Sequence, residues 1–136
     1  MIQPINKDPL SLARKSVNAT PADLQTGQDL LDTLRAHQQE CVGMAANMIG
    51  VYKRIIAVND DGRLLLMFNP EILRSTGRYH TEEGCLSLEG VRETDRFRSI
   101  KVRFWDADFS VRMKTFTGWT AQIIQHEIDH CNGVLI

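Results

Sequence analysis

Near the end of the 136-residue sequence the chain reads Gln125-His126-Glu127-Ile128-Asp129-His130, and this stretch restricts the fold more than any other. Two imidazoles four residues apart can grip one ion only if the segment is helical, because a helical turn sets both rings on one face. Glu127, beside the first ring, can then take a proton from water at such a site. The surroundings suit a helix. Trp119 to Ile124 contains no proline, Ile124 and Ile128 form an apolar stripe, and Asn132-Gly133 supplies a stop signal. The competing reading is a core helix whose histidines merely satisfy hydrogen bonds. The motif, its helical setting and the third donor discussed below favour a metal.

The length allows one domain with a real core, expected to span residues 1–136. A net charge of -1 and a pI near 6.4 leave no electrostatic footprint for nucleic acid or an anionic membrane. No run is apolar enough for a bilayer span or a secretory signal. Cys41, Cys85 and Cys131 are odd in number and scattered, so they form no disulfide framework, and a reducing, cytoplasmic compartment is expected.

Residues 1–19 read as an extended arm, with Pro4 and Pro9 opposing helix. Thr20-Pro21-Ala22-Asp23 reads as a helix start, and Leu24, Leu30, Leu31 and Leu34 carry a helical stripe to about Gln38, with His37 as a surface or capping residue. Cys41 to Gly50 is rich in small residues that permit close backbone approach. Arg54–Asn59 and Arg63–Asn69 form a hairpin across Asp60-Asp61-Gly62. Pro70 interrupts, Glu71–Ser75 continues, and Gly77 marks a turn. Ser99–Asp106 alternates as a half-buried strand and Val111–Phe116 pairs back onto it. The acid-interspersed run Arg92–Arg103 reads as a solvated face, and Trp105 and Trp119 as core or groove aromatics. Helix, strands, then helix without βαβ alternation points to α+β with mainly antiparallel sheet.

A catalytic metal usually takes a third protein ligand. Cys131 is turned about 100° from His130 around the helix and is a poor partner. Cys41 and His80 are open to the role. Cys85 is favoured: Gly84 allows an unusual turn, the tight segment offers N–H groups to a bound oxygen, and a thiolate suits a first-row ion beside two imidazoles.

Glu83-Gly84-Cys85-Leu86-Ser87 and Gln125-His126-Glu127-Ile128-Asp129-His130 resemble the second and third motifs of peptide deformylases. Cys41 to Gly50 is similar to the first, usually Gly-x-Gly-Leu-Ala-Ala-x-Gln, and order and spacing match across nearly the whole chain. The resemblance implies antiparallel β-sheets packed around a central C-terminal helix that carries the His-Glu-x-x-His motif, plus an N-terminal helix. It implies removal of the N-formyl group from the initiating methionine of new polypeptides, with release of formate. It assigns Cys85, His126 and His130 as ligands of one divalent ion, Fe2+ in the cell with Zn2+ or Ni2+ as replacements, and Glu127 as the catalytic carboxylate. Leu86 N–H would hold the oxyanion. Gly43, Met44, Tyr79, Glu83, Gly84 and Arg92 are assigned to the substrate. The partners implied are an N-formylmethionyl peptide and a transient meeting with the ribosome, with no direct nucleic-acid or membrane contact and a monomeric state.

The first motif departs from the family. Met48 stands where the family has a glutamine whose amide donates to the reacting oxygen, and a thioether cannot donate. Cys41 replaces a glycine, Met44 a leucine, and Glu89 a frequent proline, and bacterial members usually carry a tail beyond the position of Ile136. Two readings follow, a working deformylase and a deformylase-like metal-binding protein with lost or altered activity. A complete Glu127 with all three ligands favours the enzyme, because a pure binding role needs no general base.

Overall fold

The computed structural model describes residues 1–136 as five antiparallel strands in a meander, with a helix on each face of the sheet. In chain order the elements are α1 (Pro9–Leu12), α2 (Leu24–Ala36), β1 (Gly43–Ala45), β2 (Ile55–Asp60), β3 (Arg63–Cys85), β4 (Leu88–Trp105), β5 (Val111–Thr117) and α3 (Gly118–Cys131). Single 3-10 turns at Pro21–Asp23 and Ala46–Ile49 lead into α2 and follow β1. No helix is long and apolar enough to cross a membrane.

Local signals act as read. Thr20 and Asp23 form a capping box ahead of α2, and the His37 N–H closes it on the Thr33 and Leu34 carbonyls. Asp61 and Gly62 both take positive φ, which joins β2 to β3 by the turn that matches strand twist. At the far end of α3, Gly133 sits at φ +75°, its N–H bonded to His130 O and that of Val134 to Asp129 O. This left-handed cap ends the helix directly after the His-Glu-x-x-His segment.

Three expectations are corrected. Pro9 does not keep the arm extended, because it occupies the first position of α1 behind the Asp8 cap, where its missing N–H costs nothing. Pro70 and Gly77 do not end a strand. β3 runs on through both, with register shifts at Phe68/Glu71 and Ile72/Arg74 that absorb the proline, and with Gly77 at φ +77° against Arg98. The Arg92–Arg103 run is not wholly solvated, since Arg96 is buried.

Alternation along β2 shows why the sheet is covered twice. Ile56 and Val58 face α3 and join Ile100, Val102, Phe104, Ile124 and Ile128. Ile55 and Ala57 face the other way and join Leu30 and Leu34 of α2, Leu12, Met44, Met48 and Phe68. α3 therefore packs on one face of the sheet and also lines the groove described next. Gln125 clamps it to β4, its Oε1 accepting from Phe97 N and its Nε2 donating to Phe97 O, both at 2.8 Å. Asn47 Nδ2 donates to His130 O at 3.0 Å and holds the other end.

Candidate active site

β3 and β4 form one long hairpin whose two-residue turn is Leu86-Ser87, and a register shift between Gly84 and Cys85 kinks the strand just before that turn. A bulge at a strand end re-aims the side chain next to it. Cys85 is thereby directed at α3, where its Sγ lies 3.4 Å from His130 Nε2, and His130 Nε2 lies 3.1 Å from His126 Nε2. The three donor atoms all fall within 4.8 Å of one another. A tetrahedral ion with bonds of about 2.0–2.3 Å spaces its ligand atoms roughly 3.3–3.6 Å apart, so this donor set fits a single ion. Cys41 and His80, the other candidates for a third donor, stand apart: Cys41 Sγ donates to Gly43 O at 2.8 Å, and exposed His80 pairs with Asp95.

The ring of His126 is oriented from behind. Its Nδ1 lies 2.8 Å from Glu83 Oε1, which leaves Nε2 facing the other donors. Glu83 is buried, and burial pushes its carboxyl up. The hydrogen bonds from His126 and Arg96 outweigh that and bring it down to about 2. Arg96 grips Glu83 with Nε at 3.0 Å and Nη2 at 2.7 Å, and reaches Asp129 with Nη1 at 2.7 Å. Asp129 thus anchors α3 through an arginine, as its position on the helix suggests. His130 is fully buried with Nδ1 unpartnered, and burial together with the charge of His126 holds it below the usual imidazole range.

A groove of about 570 Å³ opens beside these residues. Its walls are Cys41 to Gly43 of the β1 edge, Glu82 to Leu86 of the hairpin tip, and Trp119, Gln122, Ile123, His126 and Glu127 of α3. Glu127 is 4% exposed and its Oε1 has no hydrogen-bond partner in the protein. Burial, reinforced by the charge of Glu83 and opposed by that of His126, pushes it up to about 7. A carboxylate poised near neutrality can both take and return a proton. Gly43 makes room for it, since a Cβ there would stand 2.9 Å from Glu127 Oε2 and 2.7 Å from Ile123 Cγ2. The Leu86 N–H makes no hydrogen bond within the fold, and Leu86 lines the groove.

Besides His130, which is fully buried behind the groove, four residues assigned to the site lie off the groove walls. Met44 and Met48 are buried in the apolar layer under α2, against which Cys85 and Leu86 also pack. Tyr79 points across to α3, where its hydroxyl donates to Gln122 Oε1 at 3.0 Å. Arg92 lies on β4 and donates to Glu89 O. Conversely, Arg96, Gln122 and Ile123 were missed, and Trp119 stands at the rim, 61% exposed. The signal for Gln122 was available: it precedes His126 by one helical turn and so shares its face.

The polypeptide deformylase family model matches residues 1–136. A peptide deformylase of Clostridium beijerinckii is 50% identical over 136 residues, covering 100% of both chains. Among solved structures, a class I type b peptide deformylase from Acinetobacter baumannii with Met-Ala-Ser bound superposes with a TM-score of 0.88 at 27% identity, over 99% of this chain and 97% of that one. The deformylase of the Vibrio parahaemolyticus bacteriophage VP16T, in complex with actinonin, gives 0.89 at 32% identity, over 98% of this chain and 100% of that one.

Proposed function

The chain belongs to the peptide deformylase family, and from that premise we propose that Cys85, His126 and His130 hold one divalent ion against which Glu127 works. The protein is a metal-dependent hydrolase that removes the N-formyl group from the N-terminal methionine of nascent polypeptides, releasing formate. The reading of its residues rests on one observation, the convergence of a thiol and two imidazoles next in the chain to a buried carboxylate that lines the groove and whose Oε1 has no partner.

When bound, the ion supplies the Lewis acidity that makes water nucleophilic at neutral pH. Glu127 takes a proton from the attacking water and returns it to the departing amine, a two-way role open to a buried carboxylate whose Oε1 has no partner within the protein. Leu86 N–H donates to the formyl oxygen as charge develops there. Gly43, on β1 at the end of the sheet, and Gly84 line the groove and offer backbone groups to an extended peptide. Glu83 serves the substrate only indirectly, by orienting His126. Met48 donates nothing, so Leu86 N–H carries the oxyanion without a side-chain amide beside it. Fe2+ is the ion proposed for the cell, with Zn2+ or Ni2+ able to replace it, because a thiolate with two imidazoles suits first-row divalent metals. We also propose a monomer that meets its peptide transiently at the ribosome, its net charge of -1 giving no direct hold on nucleic acid.

The test is formate release from formyl-Met-Ala-Ser by anaerobically prepared, iron-loaded protein, run beside Glu127→Ala and Met48→Gln. Turnover abolished in Glu127→Ala is expected. Turnover absent from the wild type and present in Met48→Gln would replace this mechanism with a metal centre that lacks its oxyanion donor.

A further inference from the structure

Tyr79 sits outside the groove and Gln122 on its wall, yet the two are joined and the chain of contacts does not stop there. Tyr79 Oη donates to Gln122 Oε1 at 3.0 Å, Gln122 Nε2 donates to Glu83 Oε2 at 2.9 Å, and Glu83 Oε1 lies 2.8 Å from His126 Nδ1. Glu83 thus accepts two hydrogen bonds on each oxygen, one from Gln122, one from His126 and two from Arg96. The orientation of the Gln122 amide follows from its neighbours, since a phenol must donate to its oxygen and a carboxylate can only accept from its nitrogen.

An amide is otherwise out of place between Trp119 and Ile123, where a groove wall gains more from apolar surface. Here both ends of the amide are used by the protein, its Oε1 by Tyr79 and its Nε2 by Glu83. Tyr79 is held in turn by the Arg98 guanidinium, 4.9 Å over its ring.

We propose that Gln122, held by Tyr79, is a positioning residue for the metal centre: it steadies the Glu83 carboxylate and, through it, the ring of His126. The proposal rests on the reading of Cys85, His126 and His130 as ligands. It makes one wall of the substrate groove part of the frame that aims a ligand at the ion. Arg96 holds the plane of the Glu83 carboxylate, and Gln122 ties that carboxylate to α3 one turn before the histidine it orients.

The test uses Tyr79→Phe, Gln122→Met and the double variant, each loaded with Co2+ and followed by visible absorption and by the rate of metal loss to a chelator. Partners of a metal-ligating histidine contribute about 10- to 100-fold in affinity. Gln122 acts one bond further out, so about 3- to 10-fold faster loss is expected for Gln122→Met and about 2-fold for Tyr79→Phe. The double variant should be no worse than Gln122→Met, because both act through one link. For formyl-Met-Ala-Ser, Tyr79→Phe should lower kcat and leave KM unchanged. Gln122→Glu, which keeps the acceptor for Tyr79 but sets a carboxylate against Glu83, should lose metal faster than Gln122→Met. Wild-type spectra and loss rates in all variants, with changes confined to KM, would reduce Gln122 to a groove wall and overturn the proposal. If His126→Ala binds Co2+ as tightly as the wild type, the ligand reading itself falls, and that result is distinct from the previous one.

Discussion

Adding a single methyl group at Gly43 should damage catalysis more than it damages the fold. The new Cβ would lie 2.7 Å from Ile123 Cγ2, 2.9 Å from Glu127 Oε2 and 3.1 Å from Glu127 Cγ. Ordinary contact begins at 3.4 Å, so relief requires movements of about 0.7 Å for Ile123 and 0.5 Å for Glu127. Ile123 is stiff at χ1 and packed in the apolar layer between α3 and the sheet, so Glu127 yields first. Overpacking of this kind costs about 1–3 kcal/mol. A catalytic group misplaced by about 1 Å loses on the order of 100-fold in rate, so a 10- to 100-fold fall in kcat is expected for Gly43→Ala. The assay is formate release from formyl-Met-Ala-Ser, with thermal unfolding and metal content measured on the same samples. Metal content should stay at the wild-type level, because the three atoms nearest the new methyl belong to Ile123 and Glu127 and not to a donor residue. A variant with wild-type kcat and wild-type melting temperature would refute the argument that this glycine sets the distance between β1 and α3.

Glu83→Gln removes the carboxylate behind His126 and leaves Arg96 with Asp129 alone; breaking such a buried pair costs about 3–5 kcal/mol, and metal affinity should fall about 10- to 100-fold, read by unfolding and by elemental analysis. The thiols should respond unequally to iodoacetamide near pH 8. Burial pushes Cys41 and Cys131 up to about 12, so stripping the metal should expose Cys85 alone to rapid alkylation, and mass spectrometry finding either of the others modified first would contradict the geometry. His80 should titrate above the usual imidazole range because it hydrogen-bonds Asp95. A raised folded-state pKa means its contribution to stability is complete below about 6.5 and is lost as pH rises through the folded value. Asp95→Asn should bring the His80 resonance back toward its ordinary midpoint in an NMR titration, and an unchanged midpoint would remove the ion pair from the account.

The parts of this protein legible in the sequence are those whose physics is local. A helix places His126 and His130 on one face wherever it is packed, Thr20 and Asp23 cap whatever follows them, and Asp61-Gly62 turns a hairpin by backbone preference alone. Antiparallel pairing without crossovers follows from the order of the elements. The resemblance of three motifs to a known family then reached farther than propensity could, because it carried Cys85 to the two histidines across a long stretch of chain.

Tertiary structure decided the rest. The sequence favours Cys85, but how its thiol reaches two histidines on another element depends on the register shift beside Gly84, which no periodicity announces. Counting back by twos from Ile100, Val102 and Phe104 places Arg96 on their face of β4, but only the arrival of Glu83 and Asp129 from two other elements makes a buried guanidinium tolerable there. Tyr79, Met44 and Met48 lie in or near motifs but off the groove walls: Tyr79 bonds Gln122, and the two methionines are buried in the layer under α2 against which Cys85 and Leu86 also pack. A side chain's neighbours along the chain are written in its sequence, while its neighbours in space depend on the strand bulges, the sheet's two covered faces and the angle at which α3 crosses them.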